Sequence, residues 1–466
     1  MTKRVALNRK LVSALLIPLA AVACVDGSDG HPSGFETAGA SAGGQQSAAG
    51  AAQGGAPSAG QPGSAGAPSS GAGAPSNGAG AAGAPSNNGG TGNVGAGGSS
   101  TGAPSAGSSA GGSESSTADG TGVPETTPTG YGAATTGGGN AKAVSVKTFA
   151  EVQAAVDAYS GSGGLVLEYS GQFDFSTIKD PCVQHTLPAQ TVEIKGKSEI
   201  TILGTDGSAA NFGFHVAGAS SNIIFRNLTI GLTPGGDASD IISIEGISSG
   251  MPKNVWIDHN ELFTSMAVCA GAGDTAFDGM IDVKKGAEGI TVSYNYLHDH
   301  HKVSLNGFTD DDAAVRHITF HHNLFENIGS RGPLQRHGFS HVFNNYFLKV
   351  SASGINVRMG GYSLVEANYF ETVRDPVTAR DSDAIGFWEL RANNLATAAD
   401  VAPGNRFGIS WDAGSAGTVN ATAWTTTAAY PEALGYTYHA DPFQCIHDGL
   451  RAAVGAGKGL MTLKCK

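Results

Sequence analysis

The sequence predicts an all-β fold, a single-stranded parallel β-helix with a helix at its N-terminal end. Three observations support this prediction. A short β-branched or aromatic run that leads into an asparagine recurs six times along the chain. The intervals between these runs are rich in Gly, Asp, Ser and Asn, which favour turns, and they show little helical periodicity. One helical pattern with an N-terminal capping box precedes the first run.

The first 24 residues have the features of an export signal. Basic residues at positions 3, 4, 9 and 10 precede an apolar run at 11–22 that is too short to span a membrane. An Ala-Val-Ala segment then precedes Cys24 directly, which is similar to a bacterial lipobox. We therefore expect a secreted, extracellular protein. It is either a cell-surface lipoprotein, held to the membrane only by lipid on Cys24, or a protein cleaved after Ala23 without an anchor.

Residues 25–128 are predicted to form a disordered linker. They consist almost entirely of Gly, Ala, Ser, Pro, Thr, Asn and Gln. A segment with so little apolar surface cannot offset its ordering entropy. The remaining residues, 129–466, are numerous enough to bury a large core and form the folded domain.

The folded domain opens with the predicted helix. Thr148 and Glu151 form the capping box, and apolar residues recur at helical spacing from Phe149 to Tyr159. Glycines at 161–164 end the pattern. This helix is expected to cover the open end of the stacked coils, and the C-terminal tail to lie along their flank.

The asparagine repeat sets the period of the solenoid. Successive members are 33, 35, 28, 22 and 23 residues apart, which is typical of a solenoid with insertions. In a parallel β-helix equivalent residues stack about 4.8 Å apart, so a column of asparagines can satisfy its buried amides from coil to coil. The predicted column consists of Asn227, Asn260, Asn295, Asn323, Asn345 and Asn368.

Four cysteines lie in the folded domain, an even number that predicts two disulfides in an exported protein. The sequence alone allows three pairings. Cys445 and Cys465 are 20 residues apart and suit a local clip on the tail, which would leave Cys182 with Cys269.

The formal net charge of −12 argues against a nucleic-acid partner, since such proteins usually carry a basic excess. A polyanionic substrate is compatible with this charge if the cations cluster locally. Counting from the asparagine column predicts such a cluster. Lys302 and Arg331 lie seven and eight residues after their asparagines, on the same side of neighbouring coils, and Arg336 follows five residues later.

Carboxylates lie near these cations in the sequence. Asp278 and Asp282 have an even separation, so an extended strand would present both on one face. With Asp240 and the nearby Asp237 they offer the hard oxygen ligands that suit Ca²⁺. Each aspartate alone is more simply a turn residue, but the acidic and basic sets on successive coils favour a calcium site.

Several ordered motifs of the folded domain are informative together. They are Asn-Val-Trp-Ile-Asp-His-Asn-Glu-Leu at 254–262, Thr-Val-Ser-Tyr-Asn-Tyr at 291–296, Arg-Gly-Pro-Leu-Gln-Arg at 331–336, Gly-Ile-Asn-Val-Arg at 354–358 and Asp-Pro-Val-Thr at 375–378. With them, nearly all of residues 129–466 resembles the extracellular bacterial pectate lyases of the first polysaccharide lyase family. The resemblance implies a right-handed parallel β-helix, a monomer, and the disulfides Cys182–Cys269 and Cys445–Cys465.

The resemblance also implies a function. The enzyme would cleave the (1→4)-α-D-galacturonan of pectin by calcium-dependent β-elimination, giving 4,5-unsaturated oligogalacturonides. Arg331 matches the proposed base that removes the C5 proton, and Lys302 and Arg336 match residues that hold substrate carboxylates. A guanidinium is normally protonated, so an alkaline pH optimum is expected.

The calcium ligands of the family match Asp240, Asp278 and Asp282, with two departures. The family often has Glu where this chain has Asp278. Its close Asp-x-Asp pair is also altered, so Asp237 would replace the first ligand only with a shift. Lys284, two residues after Asp282, is a further candidate for contact with the substrate.

Other functions fit parts of the sequence less well. A pectin lyase acts on the methyl ester and would not need the aspartate cluster. A glycoside hydrolase needs a paired acid and base, and calcium already accounts for the compact acidic set. A non-catalytic polysaccharide-binding β-helix would not need cations in phase. The segment 299–301, Asp-His-His, could hold a transition metal, but a polar turn is the simpler interpretation.

Overall fold

The structure is a computed structural model that describes residues 118–273, 275–394, 409–412, 418–421 and 426–466. The predicted export signal, Cys24 and the linker up to residue 117 lie outside these residues. In the first half of the described chain the strands and helices are β1 (Ala118–Pro124), β2 (Ala143–Val146), α1 (Phe149–Ala158), β3 (Leu165–Tyr169), α2 (Pro181–Gln184), β4 (Thr191–Lys195), β5 (Ser198–Gly204), β6 (Ala209–Ala210), β7 (Gly213–Ala217), β8 (Ser221–Arg226), β9 (Thr229–Gly231), β10 (Ile242–Glu245), β11 (Lys253–Asp258), β12 (Glu261–Phe263) and β13 (Ile281–Lys284).

The second half continues the same succession of short strands. They are β14 (Glu288–Ser293), β15 (Tyr296–Lys302), β16 (Leu305–Asn306), β17 (His317–His321), β18 (Leu324–Ser330), β19 (Leu334–Arg336), β20 (Phe339–Phe343), β21 (Tyr346–Val350), β22 (Ile355–Arg358), β23 (Tyr362–Glu366), β24 (Tyr369–Val373), β25 (Val377–Arg380), β26 (Phe387–Arg391), β27 (Ile409–Asp412), β28 (Thr418–Ala421), α3 (Phe443–Ala453) and β29 (Met461–Cys465). Short 3₁₀ turns lie at Phe175–Thr177 and Gly236–Ala238.

Three sheets run along the molecule. Sheet 1 has the order β2-β3-β5-β8-β11-β14-β17-β20-β23-β26, sheet 2 has β4-β7-β10-β13-β16-β19-β22-β25-β27-β28, and sheet 3 has β6-β9-β12-β15-β18-β21-β24. Strands are parallel throughout, except that β27 and β28 pair antiparallel. From β5 onward the chain visits sheets 1, 3 and 2 in turn, so each coil contributes one strand to each sheet. The predicted parallel β-helix is confirmed.

The core lies inside the coils. Alternate residues of each strand point inward and are fully buried, as Ile290 and Val292 are in β14. Equivalent side chains stack along the solenoid axis: the rings of Phe325, Phe347 and Phe370 lie 4.8 and 4.7 Å apart at nearly parallel planes. This spacing equals the distance between hydrogen-bonded strands, so register alone aligns them.

The asparagine column lies at the turn from sheet 1 to sheet 3. Each Oδ1 accepts hydrogen bonds from the backbone N and the Nδ2 of the preceding rung, at 2.9–3.1 Å. The rungs are Asn260, Asn295, Asn323, Asn345, Asn368 and Asn393. The membership of Asn227 is wrong: Leu228 occupies the rung position and donates its backbone N–H to Asn260. Asn227 itself has a φ of 56°, the left-handed conformation that precedes each rung.

The predicted helix is α1, with the Thr148 and Glu151 capping box in place. Its buried residues Val152 and Val156 pack into the core beside the first strands of sheet 1. Both expected disulfides form, Cys182–Cys269 and Cys445–Cys465. None of the helices within the described part of the chain is long and apolar enough to cross a membrane.

The C-terminal tail packs outside the asparagine turns. Helix α3 buries Ile446 and Leu450 against residues such as Leu324, and β29 pairs antiparallel with β1. Strand β1 corrects the predicted linker boundary, because residues 118–124 form a strand and not disordered chain. Their small residues gave no strand pattern, and a distant partner at the C-terminus supplies the hydrogen bonds.

Candidate metal and carboxylate-binding site

The predicted site residues meet where the coils pass from sheet 3 to sheet 2. Asp237, Asp240 and Asp278 lie in the segments that lead into sheet 2, while Asp282 and Lys284 belong to β13. The cations Lys302 and Arg331 end or follow strands of sheet 3, and Arg336 ends β19 on sheet 2. One edge of the solenoid therefore carries the acidic and the basic set together.

Lys284 stands between two buried aspartates. Its ammonium lies 2.7 Å from Asp240 Oδ2 and 3.2 Å from Asp282 Oδ2. Burial opposes its protonation, but the two carboxylates together raise the pKa of Lys284 well above its usual value. Lys284 is only 8% exposed, so it faces the carboxylates and not open solvent.

A second lysine joins the other two aspartates. The Lys302 ammonium lies 3.0 Å from Asp237 Oδ1 and 3.5 Å from Asp278 Oδ1. Asp278 is half-buried, whereas the Asp237 carboxylate is 65% exposed. The shift required of Asp237 thus brings its carboxylate to the same ammonium as Asp278.

The aspartates form a compact oxygen cluster that fits a calcium ion. One carboxylate oxygen each from Asp240, Asp278 and Asp282 lies within 4.8 Å of the others. Asp282 Oδ2 is buried and accepts no hydrogen bond within the described structure, which leaves an oxygen free for a cation. Gly279 makes the close packing possible, because a Cβ there would lie 2.1 Å from Asp282 Oδ1. Several oxygen donors on a rigid strand suit Ca²⁺.

The mutual repulsion of these carboxylates shows in their acidity. Burial, then the charge of Asp282, raises the pKa of Asp240 to about 6. Burial, then the charge of Asp240, raises the pKa of Asp278 to about 6. A bound divalent cation would favour the ionised form of both groups.

Arg331 lies on a left-handed residue, with φ of 61°, directly after β18. Within the described part of the chain its side chain makes no hydrogen bond or ion pair. Its strand neighbour is not Lys302, which pairs with Ser330 instead. Both cations nevertheless disfavour a positive charge on the buried His300 between them in sequence, so they are near each other in space.

Arg336 is held by a loop that sequence reasoning missed. Its Nε lies 2.5 Å from Asp310 Oδ1, and its Nη1 donates to the Gly307 carbonyl at 3.1 Å. Arg358, in register with Arg336 on the next coil, is also a new candidate. Burial, then the charge of Arg336, lowers the pKa of Arg358 to about 9. The 22-residue spacing of the two arginines equals one asparagine interval, which was a usable signal.

Residues 299–301 do not form the expected polar turn, since they belong to β15. His300 points into the core and is 1% exposed, with its Nδ1 2.5 Å from Thr264 Oγ1. Burial lowers its pKa to about 3, so it is a neutral interior side chain.

A separate cluster lies under strand β1, formed by Glu125, Asp258 and His259. Asp258 Oδ2 already lies 2.7 Å from Arg226 Nε and 2.7 Å from His259 Nδ1. Burial, then the charge of Asp258, raises the pKa of Glu125 well above its usual range, so this acid is neutral. The cluster is internally charge-balanced and offers a metal ion little free charge.

Comparison with known proteins matches this architecture. The sequence profile of the pectate lyase family matches residues 97–459. Pectate lyase 1 of Pectobacterium carotovorum and pectate lyase B of Dickeya chrysanthemi are each 40% identical, over 71% of this chain and 91% and 92% of theirs. Pectate lyase II of Xanthomonas campestris is similar in structure, with 53% identity, a TM-score of 0.66, and coverage of 72% of this chain and 99% of that one. Pectate lyase C of Erwinia chrysanthemi, solved with Ca²⁺, has 36% identity and a TM-score of 0.65, covering 73% and 99%.

Proposed function

This chain belongs to the pectate lyase family, and we propose that it is a calcium-dependent pectate lyase that cleaves polygalacturonate by β-elimination. One observation supports this most directly. Three aspartates with clustered oxygens lie on the same edge of the solenoid as Lys302, Arg331 and Arg336. A polyanion whose carboxylates bridge to metal and to fixed cations is the substrate that such an edge fits.

Calcium is proposed to be held by Asp240, Asp278 and Asp282, with Asp237 as a further ligand. Bound there, the ion would supply Lewis-acid stabilisation of charge on the substrate carboxylate. Solved relatives support this assignment: pectate lyase C of Erwinia chrysanthemi was solved with Ca²⁺, and a variant of it was solved in complex with pentagalacturonic acid.

The lysines and arginines would bind the substrate and stabilise the transition state. Lys302 and Arg336 would hold the uronate carboxylate and stabilise the charge that develops when the C5 proton leaves. Lys284 would contribute through Asp240 and Asp282, because both carboxylates contact its ammonium.

Arg331 is proposed as the base. Its guanidinium has no partner in the described chain and follows the strand that ends beside Lys302. In the elimination Arg331 takes the C5 proton, the electron pair forms the C4–C5 double bond, and the C4–O bond breaks. The departing oxygen then gains a proton from water, so the product is a 4,5-unsaturated oligogalacturonide.

We extend the proposal to the whole chain. Residues 1–24 would direct export, lipid on Cys24 would hold a secreted enzyme at the cell surface, and the segment after it would act as a tether. The catalytic domain would act as a monomer.

The test is the absorbance of unsaturated product on polygalacturonate, with chelator added and calcium then restored. We expect activity that chelator abolishes and calcium restores, and an Arg331→Ala variant at least a hundredfold slower. Reducing ends without absorbance would mean hydrolysis. Chelator-resistant activity on methylated pectin would mean a pectin lyase, and binding without turnover a non-catalytic module.

A further inference from the structure

Arg316 is a fully buried arginine that none of the proposed roles uses. Its guanidinium donates through Nη1 to Asp312 Oδ1 at 2.9 Å, and through Nη2 to the Asp312 carbonyl at 2.9 Å. The same Nη2 donates to the backbone carbonyl of Arg336 at 2.8 Å. Burying a charge costs several kcal/mol unless it is well paired, so this placement calls for a structural reason.

Arg316 ends a loop, residues 307–316, that encloses Arg336. The loop contacts the Arg336 side chain through Asp310 and the Gly307 carbonyl, as described above. It contacts the Arg336 backbone through Arg316. The Asp310 carbonyl also lies 2.8 Å from His337 Nε2, one residue further along. One short loop thus fixes both the backbone and the side chain of Arg336.

The loop is itself fixed to the coil that carries the aspartates. Asp312 Oδ2 accepts hydrogen bonds from the backbone N–H of Phe308 at 2.8 Å and of Lys285 at 2.9 Å. Lys285 directly follows Lys284 of β13. The Asp312–Arg316 pair therefore connects the acidic coil to the end of β19.

Two glycines leave room for the guanidinium and the backbone of Arg316. A Cβ at Gly307, where φ is 104°, would lie 2.7 Å from Arg316 Nη2 and 2.8 Å from Arg336 Cβ. A Cβ at Gly338, where φ is 58°, would lie 2.6 Å from the Arg316 carbonyl oxygen. Both positions combine a left-handed backbone with a close approach, which only glycine satisfies without strain.

We propose that Arg316, anchored by Asp312, is a positioning residue that holds Arg336 in place for a uronate carboxylate of the substrate. This inference rests on the proposed function, in which Arg336 binds that carboxylate. A guanidinium presents its donors in a fixed fork, so a small shift of its backbone misaligns the pair with the carboxylate.

The test compares Arg316→Lys with Arg226→Lys. An ammonium keeps the charge of Arg316 but lacks the planar fork that bridges Asp312 and the Arg336 carbonyl. Arg226 is a matched control, because it pairs with buried Asp258 at 2.7 Å on sheet 1. We expect both variants to lower the melting temperature. Only Arg316→Lys should raise the KM for polygalacturonate, by about tenfold, with the affinity for calcium unchanged.

A second comparison separates positioning from general destabilisation. In an Arg336→Lys background, Arg316→Lys should add little to the loss of kcat/KM, because the group it positions is already gone. Equal KM values for the two single variants, or fully additive losses in the double variant, would overturn the proposal. If Arg316→Lys does not fold, Asp312→Asn is measured in the same way. A wild-type protein inactive on polygalacturonate would instead overturn the proposed function.

Discussion

Two lysines neutralise four aspartates at the candidate site. Lys284 contacts Asp240 and Asp282, and Lys302 contacts Asp237 and Asp278. This pairing explains how so many carboxylates are kept close together on one edge of a rigid solenoid. A divalent cation that binds there competes with the ammonium groups for the same oxygens, so the affinity for calcium depends on the charge state of each partner.

The acidity of Asp240 and Asp278 predicts how calcium binding depends on pH. Both have a pKa raised to about 6, so both are ionised above that pH and gain protons as the pH falls through it. Because protons compete with the cation, the affinity for calcium should be constant above about pH 7 and fall on the order of 10- to 100-fold by pH 5. Calorimetric titration with calcium between pH 5 and pH 8 measures this.

Asp278→Asn serves as the control for that titration. The variant should bind calcium more weakly at pH 8 and show a shallower pH dependence, since one of the two titrating groups is absent. An affinity for calcium that is the same at pH 5 and pH 8 would show that these aspartates do not hold the ion.

At the residue scale, the sequence predicted which charges share an edge but not how they pair. Counting from asparagines gave the correct side for Lys302 and Arg331, yet Lys302 is in register with Ser330. The burial of Lys284 among carboxylates had no sequence signal, because alternation in a strand does not say which face a groove covers. Asp310 was also missed, since its link to Arg336 depends on how one loop folds back.

At the scale of one structural element, the asparagine column joins consecutive coils. Asn323 is fully buried; it accepts two hydrogen bonds from Asn295 and donates three, to Val292, His321 and Asn345. Asn393, the last rung, accepts two from Asn368 and donates one to Val365. An interior rung therefore satisfies more buried groups than a terminal one.

That difference predicts the cost of removing a rung. Each buried polar group left without a partner costs about 1–3 kcal/mol, so Asn323→Ala should lower the free energy of unfolding by about 3–5 kcal/mol. Asn393→Ala should cost about 1–2 kcal/mol less, because fewer groups lose a partner. Urea unfolding at constant m-value measures both. Equal costs would mean that water replaces the missing amide inside the solenoid.

The same column shows what period analysis can and cannot predict. Five of six predicted rungs are correct, because their asparagines follow strands of similar length. Asn227 was included on local context but lies one residue early, and Asn393 was missed. A one-residue offset does not change a repeat of 22 to 35 residues, so only strand register separates a rung from its neighbour.

At the scale of the whole molecule, two disulfides stabilise different regions. Cys182–Cys269 lies in a small apolar cluster with Phe277, the residue before Asp278. Cys445–Cys465 joins α3 to β29, beside the asparagine turns. The first disulfide therefore supports the segment that delivers a candidate calcium ligand, and the second holds the tail against the flank.

Replacing each pair of cysteines with alanine should separate stability from calcium binding. The loops closed span 87 and 20 residues, so the chain-entropy estimate is a loss of about 4.5 kcal/mol for Cys182–Cys269 and about 3 kcal/mol for Cys445–Cys465. Calcium affinity should fall only when Cys182–Cys269 is removed, because only that change frees the segment before Asp278. Denaturant unfolding and calcium titration of both variants at one temperature measure these effects. Equal losses of calcium affinity would mean that the coils transmit the disturbance along the solenoid, and unchanged affinity in both would mean that β13 alone fixes the ligands.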